Sequence, residues 1–201
     1  MTEINHFYHI YADGYWKQCM HEHLLAMKTY GLFDTIAGFH IGIVGQEGNR
    51  NQVKEYLAEN DVPFSVVDEQ LEGWEQVTMN KLYDFAQDND GLIFYAHTKG
   101  AYNNTPINNA WRSSMCYYNV VKWKDAIEHF NGEIDTVGCH WCHNAFWGGT
   151  YWWVTTDYIK TLNYPLADSR WRAEEWIGSG TPRIFDMNPG WPDFERFIMS
   201  W

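Results

Sequence analysis

Between residues 7 and 95, four short apolar runs alternate with three segments of helical spacing, and this alternation constrains the fold more than any other feature of the chain. Residues 7–11, 39–44, 63–67 and 92–95 read as strands, closed by turn formers such as Ala12-Asp13-Gly14 and Gly45-Gln46-Glu47-Gly48. Residues 16–30, 51–59 and 75–87 read as helices, the first carrying Met20, Leu24 and Met27 at helical spacing. Repeated strand–helix units of this length predict an α/β domain with a mostly parallel sheet and right-handed crossovers. Further along, residues 108–130 read as one long helix, 136–141 as a strand, 146–154 as an aromatic segment, and 156–162 and 169–177 as short helices. The Gly- and Pro-containing tail from residue 178 is expected to wrap the surface.

A chain of 201 residues is expected to form one domain. Its 45% hydrophobic and 20% charged content is that of a globular protein. No apolar run approaches the ~18 residues of a membrane helix, and the start Met-Thr-Glu-Ile-Asn-His lacks a signal-peptide build, so a cytoplasmic location is expected. Four cysteines are too few for a disulfide framework. A net charge of −12 argues against a broad grip on nucleic acid, although a local basic groove is not excluded. Of 12 tryptophans only Trp16 and Trp74 precede residue 100. The others could form an apolar floor for sugar rings, or could simply be core.

Open α/β sheets bind ligands beyond the carboxyl ends of their strands. That rule singles out Tyr11, Ala12 and Asp13 after the first strand, residues 44–47 after the second, and His97, Thr98, Lys99 and Gly100 after the fourth. A lysine in a glycine-ended loop can hold phosphate, or the same residues can be an ordinary turn. Tyr11 could stack on a base and Asp13 could accept from base or ribose, or Asp13-Gly14 could be a turn and helix cap. Cys139-His140-Trp141-Cys142-His143 matches the C-x-x-C-H spacing of haem attachment, and its side chains could equally bind zinc.

Five ordered motifs resemble a group of small GT-A-type glycosyltransferase domains of bacterial surface-polysaccharide loci, large viruses and phages. They are His97-Thr98-Lys99-Gly100, Trp111-Arg112 with Met115, Val137-Gly138-Cys139, Gly149-Thr150-Tyr151-Trp152-Trp153, and Arg170 with Ala173, Glu174, Trp176 and Ile177. The resemblance implies a single GT-A-like, Rossmann-like nucleotide-diphospho-sugar transferase domain. Residues 1–100 would bind the nucleotide, and residues 101–201 a glycan or other hydroxyl acceptor, a modified nucleobase included. It implies a UDP-linked or similar donor held by Tyr11, Ala12, Asp13, His97, Thr98, Lys99, Gly100 and Arg112. Glu174 would be the base that activates the acceptor, beside an acceptor surface of His140, Trp152, Trp153, Arg170 and Trp176. GT-A enzymes usually neutralise the leaving diphosphate with Mn²⁺ or Mg²⁺ on an Asp-x-Asp motif. Here the same place carries His97-Thr98-Lys99, so Lys99 could supply the charge and His97 is the one metal ligand on offer. The alternatives are a non-catalytic carbohydrate-binding protein and a zinc or haem protein.

Overall fold

The computed structural model describes residues 2–142, 146–165 and 170–189, with the backbone alone described at Arg170. Its main sheet is built from strands β1 (Ile4–Tyr11), β2 (Gly38–Val44), β3 (Ser65–Gln70), β4 (Leu92–His97), β5 (Thr136–Gly138), β8 (Trp152–Thr155) and β9 (Ile184–Asp186). A small hairpin pairs β6 (Trp141–Cys142) with β7 (Phe146–Trp147). The order across the seven-stranded sheet is β3-β2-β1-β4-β8-β5-β9. The first four positions are parallel, and β8 is inserted antiparallel between β4 and β5. The sheet is therefore mostly parallel, as the strand–helix alternation predicts.

Helices α1 (Trp16–Thr29), α2 (Glu47–Glu59), α4 (Pro106–Cys116) and α5 (Trp123–Glu128) pack on one face, where Met20, Leu24, Val53, Leu57 and Met115 meet Ile10, Ile41 and Phe94. Helices α3 (Gln76–Asp88), α6 (Thr156–Thr161) and α7 (Arg170–Glu175) cover the other, where Met79, Leu82 and Ile159 meet Phe7, Ile93 and Tyr95. Both faces of the central strands are thus dry, which explains why β4 is buried along its whole length.

Several elements differ from the sequence expectation. β1 begins at Ile4 because Asn5 and His6 are buried with partners: His6 Nδ1 meets the Phe94 carbonyl at 2.9 Å, and His6 Nε2 meets His23 Nε2 at 2.8 Å. The expected helix 108–130 is three pieces, α4, a π-helical turn at Tyr117–Val121, and α5. Asn119 Nδ2 donates to the Met115 carbonyl four residues back at 3.0 Å, and the Asn119 carbonyl accepts from Trp153 Nε1 at 3.1 Å. An inserted side chain is a recognised cause of such a break. β5 stops at Gly138, because His140 takes φ +67° and its N–H and that of Trp141 are bonded by the Asp186 carboxylate. The tail supplies this carboxylate from β9, an edge strand that its Gly and Pro content concealed.

Candidate active site

The carboxyl ends of β1 and β4 open into a cleft of about 620 Å³. Its central feature is the loop that leaves β4. The Thr98 N–H donates to the His9 carbonyl at 2.9 Å, and Thr98 Oγ1 accepts from the Tyr11 N–H at 3.0 Å, so the loop prolongs the ladder between the two strands. Gly100 has φ +84°, where a Cβ would stand 3.1 Å from Arg112 Nη1. The Lys99 carbonyl accepts from Arg112 Nη1 at 2.9 Å and from Cys19 Sγ at 3.4 Å. With its main chain pinned from behind, Lys99 lines the cleft, its Nζ 3.7 Å from the centre of the Trp111 ring. A cation on an aromatic face is attracted by the negative face of the ring, which holds the ammonium at the cleft wall.

His97 is fixed on both edges: Nδ1 pairs with Glu75 Oε1 at 2.9 Å, and Nε2 donates to the Gly149 carbonyl at 2.9 Å. That carbonyl is set by a left-handed turn, since Gly149 has φ +85° and a Cβ there would collide with Met115 Sδ. Tyr151 adds a third tie by donating its hydroxyl to the His97 carbonyl at 2.8 Å. His9 lines the same wall and shares a proton with Thr78 Oγ1 at 2.8 Å; burial pulls its pKa down to about 4, against a partial opposing pull from Glu75. The rim is aromatic. Tyr11 meets Tyr102 edge-on at 5.8 Å, Tyr102 is 84% exposed and Trp74 50% exposed, so both present faces to a ligand.

The structure therefore brings Tyr11, His97, Thr98, Lys99 and Gly100 together in one cleft. It does not do so for the rest. Ala12 is buried beside the cleft, its N–H on the Val44 carbonyl at 2.7 Å. Asp13 Oδ1 accepts from the Gln46 N–H and from Asn49 Nδ2, both at 2.8 Å, which ties the loop after β1 to the start of α2 as a turn-and-cap aspartate would. Trp152 and Trp153 are wholly buried on opposite faces of β8, stacked on Tyr95 at 4.8 Å and on Phe94 at 4.7 Å; they are core, not an acceptor floor. Trp176 is buried with Nε1 on the Asn163 carbonyl at 2.8 Å, and His140 is buried with Nε2 on Ser114 Oγ at 3.1 Å. The side chain of Arg170 lies outside the described residues. Glu174 is buried and not part of the cleft wall. Burial first, then the carboxylates of Glu75 and Glu174, pushes the Tyr95 phenol well above its ordinary value.

Arg112 is the clearest correction. Its Nε and Nη2 donate to Glu22 Oε2 at 2.9 and 2.8 Å, and its Nη1 to the Lys99 carbonyl and to Asn109 Oδ1. It braces the lysine loop from behind and does not reach the cleft. Arg112→Ala is expected to cost about 2 kcal/mol in urea unfolding, because it removes the charged donor from the buried Lys99 carbonyl and leaves it only the weak Cys19 thiol, while the half-exposed Glu22 stays hydrated. Lost nucleotide response at unchanged stability would instead place Arg112 on the ligand.

Sequence reasoning missed Trp74, Glu75, His9 and Tyr102. The carboxyl-end rule applied to the third strand would have found Gly73-Trp74-Glu75, which follows β3 and opens α3.

The described residues of this cleft do not fit a metal. Among the described residues no three His, Cys, Asp or Glu side chains are grouped to hold one, both ring nitrogens of His97 are bonded, and an ammonium lies in the cleft. In the C-x-x-C-H segment, Cys139 Sγ is buried against Asn119 Nδ2 at 3.5 Å and Cys142 Sγ donates to the His140 carbonyl at 3.2 Å, while His143 lies outside the described residues.

The fold is similar to that of a solved nucleotidyltransferase. A cytidylyltransferase from Leptospira borgpetersenii serovar Hardjo-bovis superposes with a TM-score of 0.56 at 10% identity, over 94% of this chain and 77% of that one. A protein assigned as a nucleotide-diphospho-sugar transferase from Desulfovibrio desulfuricans G20 gives 0.44 at 12% identity, over 94% and 80%. Rv0371c from Mycobacterium tuberculosis H37Rv gives 0.49 at 12% identity, over 99% and 100%. The chain belongs to the family described as a domain of unknown function, DUF8361, which matches residues 7–169. No curated protein matches it. Among the described residues no helix is long and apolar enough to cross a membrane.

Proposed function

We propose that this chain is a glycosyltransferase that moves a sugar from a nucleotide-diphosphate donor, UDP-linked in the first instance, to a hydroxyl acceptor such as a glycan. The observation that carries the reading is the placement of Lys99: a cation, sheltered at the carboxyl end of β4, in a cleft ringed by exposed aromatic faces. A volume of about 620 Å³ is within the range of small-molecule sites. Tyr11 and Tyr102 suit a base, Trp74 suits a sugar face, and Lys99 suits the diphosphate that departs with negative charge. Asp13, exposed two residues after Tyr11, would accept from the ribose. The reaction would run on protein charge, because the donor set at β4 suits an anion better than Mn²⁺ or Mg²⁺. A nucleobase acceptor is less favoured by the net charge of −12.

Thermal shift and calorimetry with UDP, GDP, CMP and UDP-sugars, each with and without Mn²⁺ or Mg²⁺, test the reading. One nucleotide at a hundred times its Kd should add about 2.7 kcal/mol, and no metal should be needed. Glycan binding without any nucleotide response would favour the carbohydrate-binding alternative that the exposed Trp74 and Tyr102 also permit.

A further inference from the structure

Under the transfer reading, on which this inference rests, some group must take the acceptor's proton. We propose that Glu75, and not Glu174, is that catalytic base. Among the described residues Glu75 is the one carboxylate lining the cleft, whereas Glu174 is buried and not among the lining residues. Glu75 is also rigidly placed. Its carbonyl accepts from the N–H groups of Thr78 and Met79 at the start of α3, both at 3.0 Å. Its Oε1 is held at 2.9 Å by His97, which is itself locked by the Gly149 carbonyl. A base oriented by a second group that is oriented by a third is the arrangement that proton transfer requires.

Glu75 opens α3 after β3, while Lys99 follows β4, so the two charges reach the cleft from different elements of the sheet. In the step this arrangement supports, the acceptor oxygen attacks the anomeric carbon and its proton passes to the Glu75 carboxylate. The bond from that carbon to the diphosphate oxygen breaks, and the nucleoside diphosphate leaves with the electron pair towards the Lys99 ammonium. Glu75 then returns its proton to solvent. Neither His97 nor Tyr95 needs to change its bonding.

The test uses the full chain, with UDP-glucose, UDP-galactose and UDP-N-acetylglucosamine as donors and water, glycerol and glucose as acceptors, following UDP release. For Glu75→Gln, kcat should fall about 10²-fold or more while the donor KM stays within about threefold, the size of effect expected of a general base. Glu75→Ala should recover part of that loss in sodium formate, which a purely structural role would not allow. Glu174→Gln should retain most of the turnover. Wild-type turnover that survives in Glu75→Gln, or that dies in Glu174→Gln alone, overturns the assignment and leaves the transferase reading standing. A wild-type protein that binds no donor, or binds donors and turns none over, overturns both.

Discussion

Replacing Lys99 by alanine is expected to lower turnover by about 10³-fold without unfolding the protein, because the side chain and the main chain of this residue do separate work. The main chain holds the loop: the N–H donates to the His97 carbonyl at 2.7 Å, and the carbonyl accepts from Arg112 and Cys19. Alanine keeps all three bonds. Under the proposed transfer the ammonium would stabilise charge that appears on the diphosphate only as the glycosidic bond breaks, so its loss should fall mainly on kcat. Because the residue is only 7% exposed, water is poorly placed to substitute for the lost charge. Lys99→Arg should recover little, since the slot over Trp111 holds a compact ammonium at 3.7 Å from the ring centre and a planar guanidinium needs a different shape. The measurement is steady-state UDP release by the two variants beside their urea unfolding curves. Turnover within tenfold of wild type in Lys99→Ala would remove Lys99 from the chemistry.

The half of the chain with local, periodic patterns was the legible half. β2 and β4 and helices α1 and α3 fall close to where apolar spacing puts them, because each needs only one or two dry faces that neighbouring residues encode. What escaped depends on partners far away in sequence. β1 hides its first residues because His6 and Asn5 look polar until His23, Phe94 and Glu3 satisfy them. β9 hides because its role is to pair with β5 and to lend Asp186 to the turn at His140. The same division runs through the site. The Lys99 loop announces itself by a strand, a lysine and a glycine, and the structure puts it in the cleft. The tryptophans of β8 misled, since residue type cannot distinguish a ring that stacks on Tyr95 in the core from one that would stack on a sugar. Arg112 misled for a related reason: a buried arginine serves a carbonyl as readily as a phosphate, and only geometry separates the two. Resemblance of motifs reached the fold, and the cleft adds Glu75, which none of the motifs contains.

Acidification is expected to unfold the protein between about pH 5.5 and 4, well before its carboxylates are all protonated. The cause is a set of buried histidines. His6 Nδ1 donates to the Phe94 carbonyl, so His6 Nε2 must accept from His23 Nε2 at 2.8 Å; a further proton on that edge would set two N–H groups head to head. Burial lowers His6 to about 3, pulls His23 well below its ordinary value, and lowers His9 and His140 to about 4. In the unfolded chain all four titrate near 6.5, so below that pH the unfolded state binds protons that the folded state refuses. The stabilisation is fully present above about pH 6.5 and is lost as the pH falls towards the folded values. Each histidine contributes about 1.4 kcal/mol per pH unit, so four together remove roughly 5 kcal/mol per unit. A total stability of about 5–15 kcal/mol is exhausted within one to three units. Urea unfolding at pH 7, 6 and 5 should show ΔG falling with a slope near four protons between 6 and 5. A slope near zero over that interval, with native circular dichroism at pH 4, would mean that these histidines accept protons in the folded state and that the His6–His23 bond is not the neutral pair described here.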